Sequence, residues 1–157
     1  MANRFIALIS SIILFFPLSP CMAALDYGKQ ALIGADFSNS DLRGATFYLT
    51  NLQNANLSGC DLEGASFFDA KLQGANLSDS NLRDATMDAA NLEGTDFTNS
   101  VLEGAFAFNA NFKDVKIKGA DFTNVLMSIE AKKTLCSIAE GHNPITKRNT
   151  LDTLDCT

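Results

Sequence analysis

The sequence predicts an all-β solenoid, a four-sided β-helix of about five coils closed by a short C-terminal α-helical cap. With Ala107 as the one exception, a large apolar residue recurs at every fifth position through twenty repeats, between residues 30 and 129. Two positions before it stands a small residue, most often Ala, and two positions after it stands Gly, Asn or Asp in nearly every repeat. A chain that turns a corner in every repeat explains these three regularities together.

Residues 1–23 are predicted to be a secretory signal peptide. Arg4 precedes an apolar run, residues 5–16, that is too short to cross a bilayer comfortably, and small residues follow it. Cleavage is expected after Ala23 or one residue later. The alternative is a lipoprotein signal that ends at Cys21, although a proline directly before that cysteine fits lipid modification poorly.

The repeat body, residues 24–128, fits neither straight element. On an α-helix the large apolar residues would lie about 140° apart, so they would form no stripe. On a straight strand they would alternate between the two faces, because five is an odd number. If the chain turns a right angle after each repeat, the first and third positions point inward and the second and fourth point outward. The fifth position then occupies the corner, where Gly, Asn and Asp tolerate the unusual backbone angles.

The repeat, for example residues 35–39, resembles the pentapeptide-repeat family, with its Ala-(Asp/Asn)-Leu-x-x pattern. This resemblance implies a right-handed quadrilateral β-helix. Cys136, the Gly-His-Asn-Pro sequence at 141–144 and Cys156 further resemble the cyanobacterial and chloroplast lumenal branch of the family. That branch implies an export signal and a disulfide-closed helical cap. The expected location is therefore the thylakoid lumen, with the periplasm as the alternative.

Three cysteines follow the predicted leader: Cys60, Cys136 and Cys156. An oxidising compartment would let the last two pair, and the closed loop would stabilise the tail by about 3 kcal/mol in the chain-entropy model. Two unrelated thiols are the alternative. Cys60 stands at a first position, where Ala is usual, and is interpreted as a small buried core residue.

Residues 129–157 are predicted to cap the solenoid, because an open end would expose apolar core and unpaired strands. Ser128 is expected to cap a helix that runs through Ala139 and stops near Gly141. A second short helix, about residues 150–155, would return Cys156 to Cys136. At the other end, residues 25–30 are expected to form a short turn over the first coil.

One face of the predicted solenoid differs from the other three, whose outward positions are mainly polar or charged. Its outward positions include five apolar residues, Tyr48, Leu49, Phe68, Phe106 and Phe108. This aromatic face is a candidate partner-binding surface. The alternatives are that the cap or the start of the mature chain covers it, or that a bulge at residues 105–109 shifts the register.

Composition offers little for catalysis. His142 is the only histidine, no zinc-type ligand spacing occurs, and we expect no enzyme activity, cofactor or metal site. Between residues 25 and 128 there are fourteen Asp and Glu against seven Lys and Arg. An acidic surface without a basic stripe argues against nucleic-acid binding.

The expected function is therefore that of an exported protein-binding or scaffolding module with an unidentified protein partner. We expect a monomer or weak dimer that is not stably inserted in a membrane once the signal is removed. The alternative is a DNA mimic that binds a topoisomerase such as gyrase, since some family members act in this way. The export signal argues against this alternative, as do Arg43 and Arg83, which interrupt the acidic surface. Inhibition of gyrase supercoiling would decide in its favour.

Overall fold

The structure, a computed structural model, describes residues 25–156. The predicted signal peptide lies outside the described residues. Within them the chain winds into a parallel β-solenoid. The second-position residues from Asp26 to Phe106 each form a parallel bridge with the residue twenty positions later, as in the series Asp26, Thr46 and Ser66. Four five-residue segments therefore make one turn, and the predicted β-solenoid is confirmed.

The corners of the solenoid lie at the fifth position of each repeat. From Lys29 to Asn124, every fifth-position residue has a φ between 53° and 74°. This left-handed region is open to Gly and is tolerated by Asn and Asp, whereas other side chains are strained in it. The composition of the fifth position therefore follows directly from the backbone angle that a corner requires.

The core is filled from the first and third positions, which carry small and large side chains respectively. The rings of Tyr27, Phe47 and Phe67 stack in a column with centroids 5.0 Å apart. Tyr27 also corrects an expectation, because residues 25–29 do not form a separate turn over the first coil. They form one more segment of the solenoid, since Tyr27 supplies the large core side chain and Asp26 bridges to Thr46.

The C-terminal end carries two helices, α1 (Ile129–Cys136) and α2 (Thr150–Thr153). Ser128 caps α1 as expected, and its hydroxyl accepts a hydrogen bond from the N–H of Ala131 at 3.1 Å. A disulfide joins Cys136 to Cys156, with Cα atoms 5.6 Å apart. In the described part of the chain, neither helix has the length and apolar character that crossing a bilayer requires.

Helix α1 ends at Cys136, three residues before the predicted end at Ala139. The reason lies in the docking of the following segment against the last coil. The N–H of Gly119 donates to the carbonyl of Glu140 at 2.9 Å, in the place where earlier corners donate to the next coil. The segment after Ser137 therefore docks on the last coil through the carbonyl of Glu140 instead of extending the helix.

Asn143 anchors this returning segment and is almost completely buried. Its Nδ2 lies 2.9 to 3.1 Å from the carbonyl oxygens of Asn99, Ser100 and Gly119. Its Oδ1 accepts hydrogen bonds from the N–H groups of the residues two and three positions later in the chain, at 2.9 and 3.0 Å. One side chain thus joins the cap to carbonyls of two successive coils.

Arg148 forms the second link between cap and solenoid. Its guanidinium pairs with Glu103 at 3.0 Å and approaches the buried carboxylate of Asp121 at 3.4 Å, and it also donates to the Thr123 hydroxyl. Burial opposes ionisation of Asp121, but hydrogen bonds from Thr123 and the charge of Arg148 outweigh it and hold the pKa of that carboxyl below its usual value.

Candidate partner-binding face

The aromatic face is built from residues 25–29, 45–49, 65–69, 85–89 and 105–109, which the twenty-residue turn places one above another. Its five predicted apolar side chains, Tyr48, Leu49, Phe68, Phe106 and Phe108, are each between 39% and 45% exposed. Neither the helices nor the loops of the described cap cover them. Large apolar side chains grouped on one side of a polar rod form the kind of surface that binds a partner.

The segment 105–109 keeps the register of the solenoid. Ala107 is 1% exposed and occupies the core position, while Phe106 and Phe108 on either side point outward. Phe106 bridges to Leu126 in the usual way, so the segment contains no bulge. Two phenyl rings are therefore displayed on the surface at a place where the core receives only a methyl group.

Tyr48 is held between two neighbours. Its ring stacks on that of Phe68, with centroids 5.9 Å apart and planes 25° apart, and the ammonium of Lys29 lies 5.8 Å from the ring centroid. A cation over an aromatic ring is attracted to the electron density of its face. Both faces of the Tyr48 ring are thus directed at neighbours, and the ring edge is what remains for solvent or a partner.

The aromatic face also departs from the repeat at its second positions. On the other faces most second positions carry Asp or Asn, which accepts a hydrogen bond from the N–H two residues later, as Asp36 does from Ser38 at 3.0 Å. This bond is the main reason that the pKa of Asp36 lies below its usual value. Beyond the first coil, the aromatic face has Thr46, Ser66, Thr86 and Phe106 at these positions.

Two carboxylates lie between the aromatic groups. Asp88 occupies the fourth position between Phe68 and Phe108, and its Oδ1 accepts the N–H of Phe108 at 2.7 Å. Asp69 follows Phe68 at the corner and is exposed. Among the described residues, neither carboxylate has a basic side chain within ion-pair distance, in contrast to Glu93, which pairs with Lys113 at 2.7 Å. The face thus combines apolar groups with unpaired negative charge.

Two further apolar residues extend the face, and sequence reasoning missed them. Leu126 is 47% exposed and bridges to Phe106, and Ile129 is exposed at the start of α1. The twenty-residue register places Leu126 above Phe106, so counting forward from Phe106 would have found it. Sequence reasoning also missed Lys29, because nothing in the sequence indicates that a lysine at this corner lies over an aromatic ring.

His142 and Cys60, the other residues considered for catalysis, are held in contacts that belong to the fold. His142 bridges to Asn149 across a turn of the cap. Cys60 is buried, its Sγ lies 2.9 Å from the carbonyl of Phe37, and burial raises the pKa of its thiol. A raised pKa leaves less thiolate, the form that reacts as a nucleophile. The described residues contain no group of three or more His, Cys, Asp or Glu that could hold a metal ion.

Comparison with known proteins gives concordant results. One family model, described as a pentapeptide repeat region, matches residues 30–106, and a second, described as pentapeptide repeats (8 copies), matches residues 90–128. A comparison with curated proteins finds no match.

Solved structures of similar proteins define the fold further. A pentapeptide repeat protein from the Arabidopsis thaliana thylakoid lumen is 44% identical, with a TM-score of 0.82, over 83% of this chain and 90% of that chain. A pentapeptide repeat protein from the cyanobacterium Cyanothece 51142 is 26% identical, with a TM-score of 0.58, over 59% of this chain and 64% of that chain. A plasmid-mediated fluoroquinolone resistance protein is 17% identical with a TM-score of 0.29, which is too low to support an argument about function.

The solenoid is therefore a right-handed β-helix, as in the Arabidopsis and Cyanothece proteins. The repeats that the two family models match fall on the segments that the bridges stack. From the family matches and the 44% identity to the lumenal protein, we conclude that this chain belongs to the pentapeptide-repeat family.

Proposed function

We propose that this protein is a non-catalytic binding or scaffolding module that is exported to the thylakoid lumen and presents its aromatic face to a protein partner. In this proposal residues 1–23 direct export, residues 24–128 form a rod of about five coils, and residues 129–157 close its end. The likeness to a lumenal Arabidopsis protein supports the compartment. The exposure of five apolar side chains on one face carries the proposal of binding.

The backbone conformation of Leu49 gives independent support for a binding role of the aromatic face. Its backbone adopts a φ of 55°, where a branched side chain is strained by about 1–2 kcal/mol. Its side chain is 40% exposed, so core packing does not compensate for the strain in full. An unfavourable backbone angle combined with a displayed apolar side chain is typical of a residue that serves binding.

The geometry favours a protein partner over a sugar or a nucleic acid. Both of those ligands stack on free ring faces, and the faces of Tyr48 are directed at Phe68 and Lys29. The formal net charge of −6 also repels phosphate. Exposed apolar side chains, with carboxylates between them, suit an apolar protein surface that also carries positive charge.

The proposal is tested by affinity capture from lumenal and thylakoid-membrane fractions with three forms of the purified protein. The first is unchanged, and the second carries Tyr48→Ser, Phe68→Ser and Phe108→Ser. The third is the matched control Ile33→Ser with Ile145→Ser, which removes exposed apolar side chains from other parts of the surface. Thermal unfolding of all three forms establishes that the fold is kept.

We expect one or more proteins to be captured by the unchanged and control forms and to be lost with the aromatic-face variant. Equal capture by all three forms would refute the role of the face. Absence of specific capture from both fractions would refute the binding function in this compartment.

A further inference from the structure

One row of side chains runs straight along the aromatic face. Tyr48, Phe68, Asp88 and Phe108 occupy the same fourth position in successive turns of the solenoid. Successive turns lie about 4.8 Å apart, so the row places side chains at about 0, 5, 10 and 14 Å along the rod. From the N-terminal end, the row is therefore apolar, apolar, negative and apolar.

This spacing matches one stripe of an α-helix. Residues i, i+3, i+7 and i+10 of a helix lie on one face, and a rise of about 1.5 Å per residue puts them at about 0, 5, 10 and 15 Å. An extended strand has same-side residues about 6.6 Å apart, so its side chains would no longer align with the row after the first pair. A strand also has no free backbone to pair with here, because Phe47 and Leu49 donate their N–H groups to the next coil.

Charge identifies the residue that the partner should place at the third contact. Asp88 uses Oδ1 to hold the N–H of Phe108, and Asp69 is exposed nearby at the corner beside Phe68. Among the described residues, no basic side chain pairs with either carboxylate. A partner that covered them with apolar groups would bury uncompensated charge, which is costly, whereas Lys or Arg would neutralise it.

We infer that the partner segment is an amphipathic α-helix lying along the rod, with apolar residues at i, i+3 and i+10 and Lys or Arg at i+7. This inference rests on the proposed function, since it names the kind of partner that the aromatic face fits. Tyr48 and Phe68 contact the first two apolar positions, Asp88 and Asp69 pair with the basic residue, and Phe108 contacts the last position.

The test uses a probe of defined chemistry, a phage-displayed library on a stable helical scaffold with the outward positions of three turns randomised. The library is selected on the unchanged protein, and the enriched helices are synthesised. Their affinities are measured for the unchanged protein, for Tyr48→Ser with Phe68→Ser, and for Asp69→Asn with Asp88→Asn. The asparagine variant is closely matched, because it keeps the Oδ1 acceptor for Phe108 and a residue that tolerates the corner at position 69.

We expect enrichment of the apolar, apolar, basic, apolar order at these spacings, and loss of binding to the serine variant. Affinity for the asparagine variant should be about threefold to tenfold lower at low ionic strength, and the difference should shrink as salt screens the charges.

Three outcomes would overturn the inference: enrichment of helices without a basic residue at i+7, affinities unaffected by the asparagine substitutions, or no enrichment that depends on the face. The capture experiment decides the proposed function separately. A protein captured through Tyr48 and Phe68 that binds by another kind of segment would leave the function standing and refute the helix.

Discussion

Leu49 occupies a corner of the solenoid where another residue type would be more favourable for the fold. The corner would be satisfied by Gly, Asn or Asp, which occupy all but three of the fifth positions from Lys29 to Asn124. The exceptions are Lys29, Leu49 and Ala89, and all three belong to the aromatic face. These three side chains are strained at the corner and remain at the surface. The aromatic face is therefore less stable than it would be with Gly, Asn or Asp at these positions.

Leu49→Asn is therefore expected to stabilise the protein and to weaken partner capture at the same time. Relief of the left-handed strain should raise the free energy of unfolding by about 1 kcal/mol. Chemical denaturation measures the stability, and the capture assay measures binding. Ala89→Asn is the control, because it relieves the same strain without removing a large apolar side chain. If Leu49→Asn destabilised the protein, packing of the leucine would be worth more than the strain, and the residue would serve the fold.

At the level of the element, the cap is joined to the last coils by a small number of strong contacts. Asn143 places one amide against three backbone carbonyls, and Arg148 reaches a carboxylate on each of two coils. The disulfide ties the end of α1 to Cys156, three residues beyond the end of α2. The cap is therefore fixed to the coils at two places and closed on itself by the disulfide, and loss of one of these should loosen it without unwinding the distant N-terminal coils.

Asn143→Ala should lower the free energy of unfolding by about 3 kcal/mol, because it removes the side-chain donor from the carbonyls of Asn99 and Gly119 and leaves Ser100 with only the N–H of Asp121. Hydrogen exchange should show the loss of protection concentrated in the cap and the last coil. Asn149→Ala is the comparison, since Asn149 caps α2 at an exposed site and its loss should cost about 1 kcal/mol. Equal effects of the two substitutions would contradict the anchoring role of Asn143.

The solenoid and its aromatic face were predictable because a period of five dictates a corner in every repeat, and that rule assigns each side chain to the inside or the outside. Phe68 and Phe108 follow from it directly. The cap has no period, and its decisive contacts join residues far apart in sequence, such as Asn143 and Asn99. No local signal marks Asn143 beyond a Gly-His-Asn-Pro turn. The early end of α1 depends on the same long-range docking, through Gly119 and Glu140.

At the level of the whole molecule, stability toward acid depends on a few carboxylates that the fold keeps ionised. Asp36 and Asp41 have pKa values lowered by hydrogen bonds from the residues two positions later. Asp121 has a lowered pKa despite its burial, because Thr123 and Arg148 stabilise the charged form. A pKa that is lower in the folded state than in the unfolded state adds stability at neutral pH and loses it in acid.

The free energy of unfolding should therefore be nearly constant from neutral pH down to the ordinary aspartate pKa of 3.8 and should fall below it. Asp121→Asn should lower stability at pH 7 by about 1–2 kcal/mol and make the decline in acid shallower. Urea unfolding at a series of pH values measures both effects. An equally steep acid decline in the variant would show that Asp121 does not contribute to it.

The spacing of bridged residues also sets how such a rod can change in length. Because partners are twenty residues apart, inserting or deleting twenty residues between Phe68 and Phe108 would change their separation by about 4.8 Å and leave both on one side. Inserting five residues would carry every later side chain round by a quarter turn and divide the aromatic row between two sides. Insertions and deletions in this region are therefore expected to preserve a shared binding surface only when they occur in whole turns.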